Sequence, residues 1–385
     1  IYAELARLPG VVRITCSQLI ARFPLGMLSL AILLHVQREL GSYALAGLVV
    51  ASVSIGEAIA VPLTSRLLGI LGIRRTIVAT AVVCAAALVA IALLRMPPAG
   101  FVVLGFVAGA TVPPIMPAVR ALYPRLVPPR YVGALFALDT SAQELIWIVG
   151  PVVATVLATT AATAAPLLLA AAVTVCGSLV FVSTPRLAGI RIDRSTAGFG
   201  RVLGVGVVIF ALLTNFALVS SFTALEIAIV SKLAGDGPLA GVAIAVSSAG
   251  SLIGGVTLGR RRRGLGGLAL VLGSIAIATG LAGAAPGLTL LFAALFVSGF
   301  GFAPSLTTLY ALVSAALPEG EAVEAFGWLN TGSLVGAAVG TALAGIASES
   351  LGPPGAFAVA TGLAVIGALC PLVAQLWVRS GPATD

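Results

Sequence analysis

The chain is a series of long apolar runs separated by short polar breaks. An α-helix needs about 20 such residues to cross the hydrocarbon core of a bilayer. The regular alternation of polar and apolar residues that is typical of membrane β-strands is missing. The pattern therefore predicts an all-α membrane protein with twelve transmembrane helices, at about 12–35, 43–65, 75–94, 98–121, 134–158, 162–183, 201–230, 238–259, 264–284, 287–313, 325–347 and 355–378.

Composition excludes a soluble protein. Hydrophobic residues make up 59% of the 385 residues, charged residues 9%, and the mean hydropathy is +1.16. A soluble domain carries about 25% charged residues, which it needs to cover its surface. The four cysteines lie inside apolar runs without the spacing of a metal site or a disulfide framework. We therefore predict no metal and no cofactor.

The distribution of basic residues orients the helices, because Arg and Lys collect in the cytoplasmic loops of membrane proteins. If both termini are cytoplasmic, the only basic residues outside the inner loops or their edges are Arg22, Arg38, Arg95 and Lys232. Arg120 is then placed at the edge of the loop after the fourth helix. This topology accounts for the net charge of +8, so no nucleic-acid partner is predicted. The almost exclusive use of Arg indicates a high-GC bacterium, with the protein in its cytoplasmic membrane.

An internal repeat divides the chain into two halves. At an offset of 190, "ALYPRLVPPRYVGALFALDTSAQELIWIVG" from Ala121 aligns without a gap with "ALVSAALPEGEAVEAFGWLNTGSLVGAAVG" from Ala311. A second alignment, at an offset of 194, pairs Gly56 with Gly250 and Arg66 with Arg260. The repeat predicts two pseudo-symmetric six-helix halves, at 1–184 and 201–385, which a cytoplasmic loop at 185–200 connects.

Two six-helix halves in a parallel repeat resemble the major facilitator superfamily of transporters. The stretch "PLTSRLLGILGIRRT" (62–76) resembles the signature that this family carries between its second and third helices, although Pro62 and Ser65 replace the usual Gly and Asp. The resemblance implies a gating role for the matching residues, which are Arg66, Gly72, Arg74 and Arg75.

The fifth predicted helix resembles the drug–proton antiporters of the same family. "IVGPVVATVL" (148–157) contains the Gly150-Pro151 pair of their fifth-helix motif, although the glycine pair that follows it in the family is missing. The Arg that these antiporters carry near the middle of their fourth helix has no counterpart in "FVVLGFVAGATVPP" (101–114). The resemblance implies proton-coupled efflux, with Gly150 and Pro151 at a packing or bending point.

Five ionisable residues remain at membrane depth, and each costs about 2.5–3.5 kcal/mol or more at a helix centre. At 1.5 Å per residue, Arg22 and Glu144 both lie about 15 Å from the cytoplasmic side, and Asp139 about 8 Å. We therefore predict an Arg22–Glu144 pair, with Asp139 or Glu57 as the competing partner. The alternative is a purely structural salt bridge. The fifth residue is Glu226.

Further polar residues are candidates for the lining of a substrate cavity. Gln143 and Trp147 share the helical face of Asp139, whereas Glu144 lies about 140° away from it. In the second half, the residues aligned with Asp139 and Glu144 are leucines, so acidic groups are concentrated in the first half. The second half contributes Asn215, Glu226 and Asn330. An interhelical hydrogen bond is the structural alternative for Asn215.

These features favour a secondary active transporter that works by alternating access and exports small lipophilic, drug-like compounds against proton entry. Uptake or facilitated transport of a polar or anionic metabolite, neutralised by Arg22, is the alternative within transport. A non-transporting membrane scaffold or sensor is the alternative of another class. An enzyme is not predicted, since His35 is the only histidine and no Walker loop occurs. The expected partners are a small-molecule substrate, protons and the lipid bilayer, and we expect a monomer.

Overall fold

The computed structural model describes residues 2–187, 192, 198–233, 237–258 and 264–380. Over these residues the protein is entirely helical, without β-strands. Twelve helical segments are long and apolar enough to cross a membrane, which confirms the predicted number. Most of the linker at 185–200 and the basic cluster Arg260 to Arg263 lie outside the described residues.

Fourteen α-helices make up the described chain, and two short 3-10 segments, Pro185–Leu187 and Arg201–Gly204, lie between the eighth and the ninth. The helices are α1 (Tyr2–Arg7), α2 (Val11–Leu40), α3 (Tyr43–Leu71), α4 (Ile73–Leu93), α5 (Pro98–Ala110), α6 (Ile115–Leu126), α7 (Pro129–Thr160), α8 (Ala165–Val182), α9 (Gly206–Lys232), α10 (Gly237–Leu258), α11 (Leu265–Ala284), α12 (Leu288–Ala316), α13 (Glu319–Leu351) and α14 (Pro353–Ser380).

The first and fourth spans differ from their predicted form. Helix α2 continues through Leu40, so Arg38 lies in its last turn and not in a loop. The fourth span consists of two helices, α5 and α6, because the stretch from Thr111 to Pro114 is not helical. Prolines lack the backbone N–H that a helix requires, so Pro113 and Pro114 cannot continue the hydrogen bonding of α5.

The same helix contacts recur in both halves of the repeat. A Cβ on Gly56 of α3 would collide with the carbonyl of Phe106, and one on Gly250 of α10 with the carbonyl of Phe296. Likewise, Gly109 of α5 lies against Val53, and Gly299 of α12 lies against the main chain of Ser247. The pairs are related by the offsets of 194 and 190 that the sequence alignment gives. Small residues at these crossings let the helix backbones touch.

The chain forms two compact units that share two of its helices. Unit 1 contains residues 1–129, 142–202 and 317–331. Unit 2 contains residues 130–141, 203–316 and 332–385. The first turns of α7 therefore belong to unit 2, and the first turns of α13 belong to unit 1.

Each unit has an apolar core and one polar side chain that joins neighbouring segments through hydrogen bonds. In unit 1, His35 is buried; its Nδ1 lies 3.2 Å from the Thr163 hydroxyl, and its Nε2 lies 3.1 Å from the Ile91 carbonyl. In unit 2, the Lys232 ammonium donates to three carbonyls at the end of α11, each at 3.1 Å, and lies 5.4 Å from the centre of the Phe357 ring. The Ala282 carbonyl also accepts from the Ala285 amide, and Lys232 adds donors for the carbonyls at the end of α11.

The close approach of α5 to α3 predicts an intolerance of side chains at Gly109. Gly109→Ala should lower the free energy of unfolding by about 1–3 kcal/mol, because the new methyl group would overlap the carbonyl of Val53. Gly47→Ala is the matched control, since no atom lies within 4 Å of a Cβ at this helical position. Thermal unfolding of the purified variants in detergent measures the difference, and equal midpoints would contradict the packing described here.

Candidate functional site

Two buried arginines meet at one amide oxygen in unit 1. Arg22 Nη2 donates to Gln143 Oε1 at 2.7 Å, and Arg120 Nη2 donates to the same oxygen at 3.2 Å. Arg22 is 3% exposed and Arg120 is 1% exposed. Arg22 Nη1 also donates to Gln18 Oε1 at 2.7 Å, one turn earlier on α2. We call Gln18, Arg22, Arg120 and Gln143 the arginine cluster.

Helix geometry explains how three helices supply the arginine cluster. Gln18 and Arg22 are four residues apart and therefore share one face of α2. Arg120 lies in the middle of α6, the helix that begins after the proline interruption. The prediction that Arg120 lies at a loop edge is therefore wrong. It followed from counting Arg120 as a topology signal, whereas Arg120 is buried within α6.

Asp139 and Glu144, the predicted proton carriers, are both buried on α7, with 1% and 8% exposed. They belong to different units, because the division of α7 falls between Ser141 and Ala142. Gln143 is adjacent to Glu144 and one turn after Asp139, so the arginine cluster lies next to both acids in sequence. The Arg22–Glu144 pair stays a prediction.

Glu57 and Asn330, placed in separate groups by the sequence, are in contact. Asn330 Nδ2 donates to Glu57 Oε1 at 3.1 Å, and the Thr331 hydroxyl donates to the Ala58 carbonyl at 2.6 Å. Both bonds lie within unit 1 and join α13 to α3. Glu57 thus has an amide partner on the eleventh span.

The motif between the second and third spans contributes Arg66 to a buried polar network. Arg66 Nη1 lies 3.8 Å from Glu324 Oε2 on α13. The other oxygen of Glu324 accepts a 2.7 Å hydrogen bond from the Gly200 amide. The Arg66 guanidinium lies 6.0 Å from the centre of the Phe199 ring, and Phe199 packs against Trp328. Glu324, which is fully buried, is a residue that sequence reasoning missed.

Serine at position 65 explains part of this arrangement. The family signature has an acid there, whereas here the buried Ser65 packs against Gly327, one turn after Glu324. The acidic group beside Arg66 is therefore carried by α13. In the sequence, Glu324 follows two further acids, Glu319 and Glu321, and lies just outside the predicted bounds of the eleventh span, 325–347, so no signal distinguished it from a loop residue.

The remaining motif residues have other surroundings. Arg74 and Arg75 are exposed at the start of α4. Gly72 separates α3 from α4 with a φ of 86°, a conformation that residues with a Cβ rarely adopt. A Cβ on Gly150 would collide with the backbone of Gly26, so the Gly150-Pro151 pair allows α7 to touch α2. Gly150 and Pro151 are thus at a helix crossing.

In the second half, Asn215 Nδ2 donates to the Ser333 hydroxyl at 2.8 Å. This bond resembles the one between Arg22 and Gln143, since Ser333 aligns with Gln143 in the repeat. Trp147 is 51% exposed on α7, and Glu226 is half-buried on α9.

Comparison with known proteins gives one family. The sequence model of the Major Facilitator Superfamily matches residues 14–270 and 207–384. No curated protein sequence is significantly similar to the chain. A bacterial homologue of the iron transporter ferroportin, solved in an outward-facing state, superposes with a TM-score of 0.78 at 13% identity, over 95% of this chain and 99% of that one.

Other solved structures share the fold. The human organic anion transporter MFSD10 (TETRAN) has a TM-score of 0.74 at 17% identity, over 94% of this chain and 99% of that chain. The Escherichia coli fucose:proton symporter has a TM-score of 0.73 at 15% identity, over 96% of this chain and 99% of that chain. At these identities the likeness establishes a common fold.

The arginine cluster predicts a strong dependence of stability on Gln143. Gln143→Leu should lower the free energy of unfolding by about 2 kcal/mol or more, because two guanidinium groups lose an acceptor in the interior. Gln143→Glu keeps an oxygen in place and should retain most of the stability. Thermal unfolding in detergent measures both variants. A leucine variant as stable as the wild type would contradict the importance of this amide.

Glu324 gives a second prediction. Glu324→Gln should lower the unfolding free energy by about 1–3 kcal/mol, because the neutral amide binds Arg66 less strongly than a carboxylate does. Glu321→Gln, one turn earlier on the same helix, is the matched control. Protease accessibility of the 185–200 segment should rise in the Glu324 variant alone, since Gly200 is bound to this carboxylate. Equal cleavage rates in both variants would show that the network does not hold the segment.

Proposed function

Because the chain belongs to the Major Facilitator Superfamily and is a multi-pass membrane transporter, we propose that it exports small lipophilic, drug-like compounds in exchange for protons. The two sequence halves, 1–184 and 201–385, act as the repeats of an alternating-access transporter. Both termini face the cytoplasm of a bacterial cell, and the protein works as a monomer in the cytoplasmic membrane.

The arginine cluster is the observation that carries this proposal. Arg22 and Arg120 keep their charge under all physiological conditions, since a guanidinium does not lose its proton in proteins. Holding two such charges inside transmembrane segments is expensive, and residues of this kind mark substrate or ion pathways in membrane proteins. The Gln143 oxygen gives both guanidinium groups a common hydrogen-bond acceptor.

Asp139 and Glu144 supply the groups that change charge. When either carboxylate is ionised, it offsets the positive charge of the arginine cluster, and protonation removes that compensation. The preferred arrangement of α2, α6 and α7 therefore depends on whether a proton is bound. A proton entering from the outside and a substrate leaving from the inside then favour opposite states, which is the condition for exchange.

Transport of an organic anion is the second candidate, because two arginines converge on one neutral side chain. An anionic substrate that replaced Gln143 Oε1 would find two donors already in place. Under this mechanism Arg22→Ala abolishes competition between organic anions, whereas under proton-coupled export it alters the coupling and leaves neutral compounds as substrates.

Proteoliposomes test the proposal through the proton flux that a substrate drives. An internal pH dye should report proton movement on addition of neutral chloramphenicol or cationic ethidium to wild-type vesicles. Glu144→Gln or Asp139→Asn should reduce this flux at least tenfold, because the neutral side chain cannot exchange a proton. Glu349→Gln is the matched control, since Glu349 is an exposed acid near the end of α13. Unchanged coupling in both α7 variants would exclude these acids as the proton carriers.

A further inference from the structure

In unit 2, Glu226 lies on α9, which contacts two neighbouring helices, α12 and α13. Phe222 packs on Phe302 of α12, with the ring centres 4.4 Å apart. The Thr223 hydroxyl donates to the Ala337 carbonyl of α13 at 3.2 Å. On a helix, Glu226 projects about 40° from Phe222 and about 60° from Thr223, which is between the two. Glu226 therefore lies on the face of α9 that is turned toward α12 and α13, one turn after Phe222.

No described residue makes a hydrogen bond or an ion pair with Glu226. The described parts of α10, α11 and α12 contain no charged side chain. Lys232, the one cation of α9, is about 120° away around the helix and is held by three carbonyls and the Phe357 ring. Glu226 is thus a half-buried acid without a protein partner among the residues that the structure describes.

The other titratable groups on the helices that pack against α9 lie far from Glu226. Tyr310, on α12, stacks against Phe136, eight residues beyond Phe302. Cys370 of α14 forms a side-chain hydrogen bond with Thr214, which is about 18 Å from Glu226 along α9. Glu349 of α13 follows Ser348, whose hydroxyl bonds to Ser231, and it is exposed. None of these groups can provide a positive charge that would offset an ionised Glu226 carboxylate.

An ionised carboxylate in a transmembrane segment has a high free-energy cost. Binding a proton removes the charge, and a neighbouring cation compensates it. The Phe222 and Phe302 rings present electron-rich faces, and such faces attract cations whose charge is spread over organic groups. One carboxylate beside an aromatic pair on apolar helices favours a lipophilic cation over a strongly hydrated metal ion. The chemistry matches that of quaternary ammonium and phosphonium compounds.

We infer that Glu226, Phe222 and Phe302 form a binding site for lipophilic organic cations within unit 2. This inference rests on the proposed export function and names one class of its substrates. The cation binds beside the Glu226 carboxylate with its apolar groups on the two rings. A proton and the cation compete for the same carboxylate, so each cation that binds to the protonated form displaces one proton. This site is separate from the arginine cluster, which belongs to unit 1.

Binding of tetraphenylphosphonium to the purified full chain tests the site. We expect saturable binding by calorimetry at pH 8 and an affinity that falls as the pH is lowered to 5, because protons compete for Glu226. Glu226→Gln should weaken binding at least tenfold and remove its pH dependence, whereas Glu226→Asp should keep both. Phe222→Leu should weaken binding severalfold. Neutral triphenylphosphine oxide should bind wild type and Glu226→Gln equally.

Two results would overturn the inference. One is tetraphenylphosphonium affinity in Glu226→Gln within twofold of the wild type, with Glu349→Gln as the control for a loss of surface charge. The other is no binding to wild-type protein that unfolds with its normal thermal midpoint. The export proposal fails separately, if neutral chloramphenicol drives no proton flux while the Glu226-dependent binding persists. Loss of the binding with intact chloramphenicol exchange would refute only the cation site.

Discussion

The structure depends on the constraint that backbone polar groups inside a bilayer must find partners within the protein. This constraint makes every span a helix and leaves the contacts between spans to side-chain size and to a few polar bonds. Apolar side chains gain little by leaving lipid for a neighbouring helix, so close backbone approach at glycines provides much of the packing. The crossings at Gly56, Gly109, Gly250 and Gly299 are four instances of the same solution, two in each half.

On this repeated framework, the two halves carry different chemistry. The first half places Arg22, Arg120 and Gln143 in contact, whereas Asn215 and Ser333 form a neutral bond at the corresponding helix pair of the second half. Packing alone does not require this difference, because the neutral bond joins the same pair of helices. The ionisable groups differ accordingly: the first half carries Arg22, Arg120, Asp139 and Glu144 on these spans, whereas α9 of the second half carries Glu226.

The sequence predicted the architecture well because the hydrocarbon imposes one length and one polarity on every span. Twelve spans, the helical class and the family all follow from such periodic features, and the structure and the family match confirm them.

The site was harder to predict, because it depends on which residues of distant segments meet. Depth arguments brought Arg22 to the level of Glu144, the neighbour of Gln143, but gave no information about the contact between Arg120 and Gln143. Glu324 was missed because an acid just outside a predicted span looks like a loop residue. The contact between Glu57 and Asn330 required knowledge of which helices are neighbours, and neither spacing nor hydropathy contains that information.

The interruption of the fourth span also fixes how that span can turn about its own axis. Pro114 has no N–H, so the Ala110 carbonyl has no helical donor, and the N–H of Ile115 bonds to Pro113 instead of Thr111. The Thr111 hydroxyl donates to the Val107 carbonyl at 2.6 Å and lies 3.5 Å from the Ala108 carbonyl, but neither bond serves the Ala110 carbonyl. Oxygen atoms in this condition are excluded from contact with lipid tails. The fourth span therefore has one side that must face protein or water, whatever side chains surround it. Its rotational setting is restricted by the main chain as well as by the side chains.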